Sequence, residues 1–269
     1  MSWVGDIYFG MSHLLRRALN LPTGLTSGDC LSDDVPAAKA QIDGPCRIAD
    51  LFFGTEGRIV HKWAHYLPIY ERYFAPFSVT SVRFLEIGVG EGGSLDLWRR
   101  YFGPDATIFG IDINPACASR AEAPNQVRIG SQDDPDFLRR VVSEMGGPPQ
   151  IVLDDGSHIG RQQRVAFETL FPLLAPGGLY IIEDTQTSYY YWFDGGYRRS
   201  GTAIEFAKTI VDDMHAWYHG RRTATNAKKD VAYVSFHDGI VVIEKRRRAS
   251  PLNIRVGEGA PDGGQPHEA

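Results

Sequence analysis

Cysteine is scarce: Cys30, Cys46 and Cys117 are the only three in 269 residues. So few thiols, so far apart, exclude a disulfide framework and a zinc knuckle, and they read as the reduced thiols of a cytoplasmic protein. Long apolar runs are missing too. None approaches the roughly 18 residues that cross a bilayer, so no membrane-spanning helix is expected. At the N-terminus Asp6 precedes any positive charge and no small-residue cleavage site follows, which argues against a secretory signal. Positive charge is in the minority: Lys+Arg 28 against Asp+Glu 33 leaves a net −5. With a pI near 5.9, the basic excess of a nucleic-acid binder is lacking. No internal repeat is visible. What remains is an ordinary globular composition, 43% hydrophobic and 23% charged, in a chain long enough to bury roughly three-quarters of its unfolded surface.

Trp3, Val4, Ile7, Tyr8, Met11, Leu14, Leu15, Ala18 and Leu19 recur at helical steps, with Arg16 and Arg17 on the opposite face. This stripe either packs on its own chain or a twin subunit, or lies on a membrane surface; a homodimer is the expectation. Pro22 and Gly24 end it, and residues 23–44 read as loop or linker. From Val82 onward strands and helices alternate. Strands are expected at Val82–Val89, Thr107–Asn114, Gln126–Ser131, Gln150–Asp155 and Gly178–Asp184, with helices at Gly93–Phe102, Pro135–Met145, Arg161–Leu174 and Thr202–Tyr218. Near-continuous apolar strands between helices mean a parallel sheet covered on both faces. Val231–His237 and Ile240–Lys245, joined at Asp238-Gly239, read as a closing hairpin. The fold class is therefore α/β, Rossmann-like, with a parallel sheet closed by a C-terminal antiparallel hairpin. A helical extension and loop are expected over 1–60, the α/β domain over 61–246 and a flexible tail over 247–269.

Gly88, Gly90 and Gly93 follow a strand and open a helix in the G-x-G-x-x-G pattern, where glycine lets the backbone turn sharply and approach a ligand. Both NAD and S-adenosylmethionine enzymes use it, and Asp112 at the end of the second strand suits the ribose of either. Glu86 just before the glycines gives the L-E-I-G-x-G form common among methyltransferases. Gly130-Ser131-Gln132-Asp133 follows the third strand, where such enzymes contact adenine, and Pro176-Gly177-Gly178 precedes the fifth.

Asp154-Asp155-Gly156-Ser157-His158 closes the fourth strand and Glu183-Asp184 the fifth. Ligands of doubly wound sheets sit beyond these carboxyl ends, and neighbouring strands are about 4.8 Å apart. Three converging carboxylates repel unless a cation or protons neutralise them. Hard oxygen donors suit Mg²⁺, with Mn²⁺ as a substitute. His158 is then placed to take a proton from an alcohol whose ionisation the cation eases.

LEIGVGEGGSL at the first strand, DDGSH after the fourth and ED followed by T-S-Y after the fifth resemble the macrocin and mycinamicin sugar O-methyltransferases, a metal-dependent class I group. The likeness runs from about His61 to Lys245. It implies S-adenosylmethionine- and Mg²⁺-dependent methylation of a sugar hydroxyl on a glycoside, glycolipid or oligosaccharide. It also implies metal ligation by Asp155, Glu183 and Asp184, with His158 as base. Donor binding is expected from Glu86, Gly88, Gly90, Gly93, Ser94, Asp112, Gln132, Asp133, Asp154 and Lys62. The family usually has Asp-Lys-Trp where this chain has His61-Lys62-Trp63, and often a His where it has Gln186.

Tyr66, Tyr189, Tyr191 and Trp192 are the expected acceptor-binding residues, since aromatic faces cover the apolar face of a sugar. Gly195-Gly196 suggests a lid over them. Two other readings stay open on the sequence: a catechol-type phenolic O-methyltransferase and an NAD(P)-linked oxidoreductase.

Overall fold

The computed structural model describes residues 31–257. The apolar stripe from Trp3 to Leu19, Cys30 and the end of the tail lie outside the described residues. The strands are β1 (Arg83–Ile87), β2 (Thr107–Asp112), β3 (Gln126–Ile129), β4 (Ile151–Asp154), β5 (Leu179–Ile182), β6 (Val231–His237) and β7 (Ile240–Lys245). They form a seven-stranded sheet in the order β3-β2-β1-β4-β5-β7-β6. The first five are parallel, while β7 runs antiparallel to both β5 and β6. This is the expected parallel sheet closed by a hairpin.

Alternate residues of each strand feed opposite faces. Leu85, Ile87, Phe109 and Tyr180 pack under α5 (Pro135–Glu144), α6 (Gly160–Leu170) and α7 (Ala203–Met214). Phe84, Ile108, Leu153 and Ile181 pack under α2 (Arg47–Phe53), α3 (Leu67–Phe74) and α4 (Gly93–Phe102). The second face is rich in aromatics: Phe74, Phe84 and Trp98 have ring centroids 5.4–5.8 Å apart. The sheet is thus a middle layer between two helical layers.

Differences from the expected elements have local causes. Part of the 23–44 loop is helical: α1 (Val35–Lys39) is capped by the Asp34 side chain, which accepts from Ala37 N. The short helix α2 lies within the expected helical extension but was not placed, and α3 was not expected. Glu71 ties them together, accepting from the Ile48 N–H that opens α2 (2.8 Å) and from the Tyr101 hydroxyl of α4 (3.0 Å). Residues 46–53 therefore share a core with the sheet. Helix α6 stops at Leu170 and tightens into a 3₁₀ turn over Phe171–Leu173, because Pro172 has no N–H to donate. Helix α7 ends at Met214, and two four-residue helices follow, α8 (Ala216–His219) and α9 (Ala227–Asp230). The start of the expected flexible tail is tied down, with Arg246 N bonded to Asp230 O and Arg248 N to Lys229 O. Cys46 and Cys117 are both free and buried. Among the described residues no helix is long and apolar enough to cross a membrane.

Register sets up the chemistry. Ile87 pairs with Ile111 on one side and Asp154 on the other, and Asp154 pairs with Ile182. The residues that follow these paired positions, Gly88, Asp112 (the last of β2), Asp155 and Glu183, therefore emerge side by side at one sheet edge.

Candidate active site

Two clefts open at this edge, divided by the loop after β4. The first, about 160 Å³, is lined by Gly88, Asp112, Ser131, Gln132, Gly156 and Ser157, with Ile111, Ile113 and Gln162 around them. Gly88 is held at φ +92°, and a Cβ there would stand 2.1 Å from the Asp155 carbonyl oxygen, so only glycine lets the two loops touch. Asp112 Oδ2 accepts from Val89 N (3.0 Å) and Gly90 N (3.2 Å), and Oδ1 from Asn114 N (2.8 Å). Burial pulls the Asp112 pKa up, but these backbone donors outweigh it and hold it below the ordinary range.

The other residues expected to hold the donor occupy different stations. Ser94 Oγ donates to Glu86 Oε2 (2.9 Å) beneath the loop. Burial pushes the Glu86 pKa up to about 7 despite the nearby Lys62. Asp154 is fully buried under the cleft, accepting from Tyr180 Oη (3.0 Å) and Gln132 Nε2 (3.3 Å). Gln132 Oε1 accepts from Ser157 N (2.7 Å), fixing the dividing loop. Asp133 accepts from Ser131 Oγ (2.5 Å). Gly90 and Gly93 shape the turn behind the cleft: a Cβ on Gly93 would strike the Ile59 carbonyl at 2.4 Å.

The second cleft, about 260 Å³, is lined by Lys62, Trp63, Tyr66, Asp155, His158, Glu183, Asp184, Trp192 and Phe193 among others. His158 and Asp184 both have positive φ, 57° and 52°, a conformation that His and Asp adopt more readily than most residues yet still uncommon. Thr187 holds the Asp184 backbone, donating its N–H (2.9 Å) and hydroxyl (2.6 Å) to the Asp184 carbonyl. Asp184 Oδ1 collects three donors, Tyr66 Oη (2.8 Å), Gln186 Nε2 (3.0 Å) and Trp63 Nε1 (3.1 Å). Its other oxygen, Oδ2, is left facing His158 Nε2 at 3.8 Å, and Asp155 Oδ1 lies 3.9 Å from the same nitrogen.

Asp155, His158 and Asp184 each offer a ligand atom within 4.8 Å of the other two. Glu183 Oε1 and His158 Nδ1 are buried with no hydrogen-bond partner. Hard carboxylate oxygens converging on one opening fit a small divalent cation. Of the three acids expected to bind metal, Glu183 stands furthest back: its side chain is 1% exposed and its Oε2 is 2.8 Å from Lys62 Nζ. Burial drives the Glu183 pKa well upward, with Asp155 adding to it and Lys62 opposing.

The structure places Lys62 among the acids, where the sequence had it on the donor. Nothing in the local pattern could have shown this, because Asp155 and Glu183 lie 93 and 121 residues away. Tyr66 likewise is buried with its hydroxyl on Asp184, while still lining the cleft in which an acceptor contact was expected. Trp192 lines the cleft and is 45% exposed, stacked on Tyr190 at 5.1 Å. Tyr189 and Tyr191 are exposed outside the lining. Gly195 serves compactness, since a Cβ there would sit 2.5–2.7 Å from the carbonyls of Tyr190, Thr187 and Ser188.

Strand order, the glycine turn and the acid at the end of β2 together define a class I methyltransferase fold. Residues 85–185 match the family described as "Methyltransferase domain". In sequence the chain is similar to sugar O-methyltransferases of tetracenomycin and mycinamicin type. It is 41% identical over 198 residues to the 8-demethyl-8-alpha-L-rhamnosyl tetracenomycin-C 2'-O-methyltransferase of Streptomyces olivaceus, covering 69% of this chain and 52% of that protein. It is 39% identical over 161 residues to the mycinamicin VI 2''-O-methyltransferase of Micromonospora griseorubida, covering 55% of this chain and 39% of that protein. Among solved structures it is similar to the MycE methyltransferase of the mycinamycin biosynthetic pathway in complex with Mg and SAH. That match has a TM-score of 0.64 and 32% identity, over 75% of this chain and 53% of that one. The chain spans about half the length of the first two relatives or less.

Proposed function

We propose that the protein transfers the methyl group of S-adenosylmethionine to a sugar hydroxyl of a glycosylated natural product, with Mg²⁺ bound at the acid cluster and His158 as general base. One observation carries the reading: a cleft suited to a nucleoside and a cleft holding acids and an imidazole share a single wall at residues 155–157. Bound S-adenosylmethionine supplies the electrophilic methyl. A bound divalent cation supplies the positive charge that lowers the cost of ionising an alcohol. Asp112, Gly88 and Gln132 hold the donor in the first cleft. Asp155 and Asp184 offer anionic oxygens to the cation, with Glu183 behind them. His158 Nε2 would accept the hydroxyl proton, leaving the acceptor oxygen to form its bond to the methyl as the sulfonium C–S bond breaks and S-adenosylhomocysteine leaves. Trp192 covers the apolar face of the acceptor sugar. Much of the rate comes from positioning.

The substrate class is supported by the relative from Streptomyces olivaceus, a 2'-O-methyltransferase of a rhamnosyl tetracenomycin. The test is an acceptor panel of rhamnosides, other glycosides and catechols, incubated with S-adenosylmethionine and Mg²⁺ and read by mass spectrometry. Methylated glycoside is expected. Turnover of catechols with none of glycosides would replace this reading with the phenolic one.

A further inference from the structure

Lys62 has an unusual position for a lysine. Its side chain is 3% exposed, and its Nζ lies 2.5 Å from Asp155 Oδ2, 2.8 Å from Glu183 Oε2 and 3.9 Å from Glu86 Oε1. It arrives on a backbone that cannot easily retreat. The strand of chain at Arg58-Ile59 lies against Gly93 so closely that a Cβ there would collide with both carbonyls, and Arg58 is paired with Asp96 at 2.8 Å. Asp155 is consequently divided between two partners. One oxygen is held by the ammonium, and the other looks into the cleft toward His158.

We infer that Lys62 is the resident counter-ion of the acid cluster, a positioning residue that holds Asp155 and Glu183 together while the divalent cation is absent and weakens the cluster's grip when the cation is present. This rests on the reading that the cleft binds such a cation. Glu86, Asp155, Glu183 and Asp184 gathered in one partly buried place would repel strongly with no positive charge among them. Lys62 makes the site stable before loading. The same fixed charge then repels an incoming cation, so affinity is traded for an architecture that already exists in the empty protein.

The test compares the wild type with Lys62→Met, each stripped with EDTA and then titrated with Mn²⁺. Calorimetry reads affinity and thermal unfolding reads stability. In EDTA the variant should unfold at a lower temperature. It should bind Mn²⁺ more tightly, on the order of tenfold, and gain more in Tm from Mn²⁺ than the wild type does. A merely structural lysine would lower stability without tightening the metal. Should Lys62→Met not fold without metal, adding Glu183→Gln removes one charge left bare and should restore folding in EDTA. Equal stability of Lys62→Met in EDTA, Mn²⁺ affinity no higher than wild type, or no rescue by Glu183→Gln would overturn the inference. A wild type that binds no Mn²⁺ would instead sink the cation reading itself, and this inference with it.

Discussion

His158 and Asp184 face each other with Nε2 and Oδ2 3.8 Å apart, and each is held at positive φ to do so. Two left-handed residues beyond the carboxyl ends of the neighbouring parallel strands β4 and β5 place strain where the chemistry is proposed. The imidazole is backed by Phe193, edge to face at 5.7 Å, and lines the acid cleft and not the nucleotide cleft. His158→Ala should therefore lower kcat on the order of 100- to 10,000-fold while leaving the Kd for S-adenosylhomocysteine within a factor of about three. Retained turnover in the variant would remove His158 from the base role.

Asp184→Asn separates fold from ligation. An asparagine oxygen at Oδ1 keeps the donors Trp63, Tyr66 and Gln186, while the amide nitrogen replaces the anionic oxygen that faces His158. Tm should change by only a few degrees, whereas Mg²⁺ or Mn²⁺ affinity should fall at least about tenfold. Isothermal titration with metal decides it. Undiminished binding would take Asp184 out of the ligand set.

Two glycines of one motif should behave differently. Gly88 and Gly90 both have positive φ, but a Cβ on Gly88 meets the Asp155 carbonyl at 2.1 Å and one on Gly90 meets nothing within 4 Å. Gly90→Ala should cost only the left-handed strain, roughly 1–2 kcal/mol. Gly88→Ala should cost more and should also push the 155–157 wall aside, weakening S-adenosylhomocysteine at least about tenfold. Equal effects from the two variants would contradict the close approach of the loops.

Asp154 gives stability a pH dependence. Burial pushes its pKa up to about 6 from an ordinary 3.8, despite the hydrogen bonds from Tyr180 and Gln132. A carboxyl whose pKa is higher in the folded than in the unfolded chain favours folding when protonated. That favour is complete below about 4 and is lost as pH rises through about 6. At about 1.4 kcal/mol per pH unit the loss is on the order of 3 kcal/mol. In urea titrations at pH 4 and pH 7, Asp154→Asn should lose less stability over that interval than the wild type. Identical losses would show that the buried acid does not titrate in this range.

Trp192 is the acceptor-side test. It lines the acid cleft yet is half-exposed and lies apart from the nucleotide cleft. Trp192→Ala should raise KM for a glycoside several-fold with donor affinity unchanged. A loss of donor affinity instead would place the ring elsewhere in the reaction.

The sheet was legible because the central strands, buried on both faces, carry an unmistakable apolar run, and Asp238-Gly239 marks a tight hairpin whose register shifts only at its far end, between Val231 and Tyr233. Helix α4 was legible from Gly93 to Phe102, since glycines mark both ends. Helices α2 and α3 were not, because each is too short to build a periodic stripe and their apolar residues serve the face of a sheet far along the chain. The convergence of Asp155, Glu183 and Asp184 followed from strand order alone. The roles of Lys62, Tyr66 and Gln186 did not: whether a lysine meets a nucleotide or a carboxylate, or a tyrosine a sugar or an aspartate, depends on tertiary distances that residue type leaves undetermined.

Tyr66 also reaches the tip of the β6–β7 hairpin, where a Cβ on Gly239 would stand 2.1 Å from its hydroxyl, and the Gly239 carbonyl in turn receives the Thr185 N–H at 3.0 Å. The seat of Asp184 is thus built by pieces from before residue 70 and after residue 235. Trimming the polypeptide to the stretch recognisable as a methyltransferase domain would discard the side chains that aim the acid. Any attempt to graft this chemistry onto another scaffold has to carry both distant ends along.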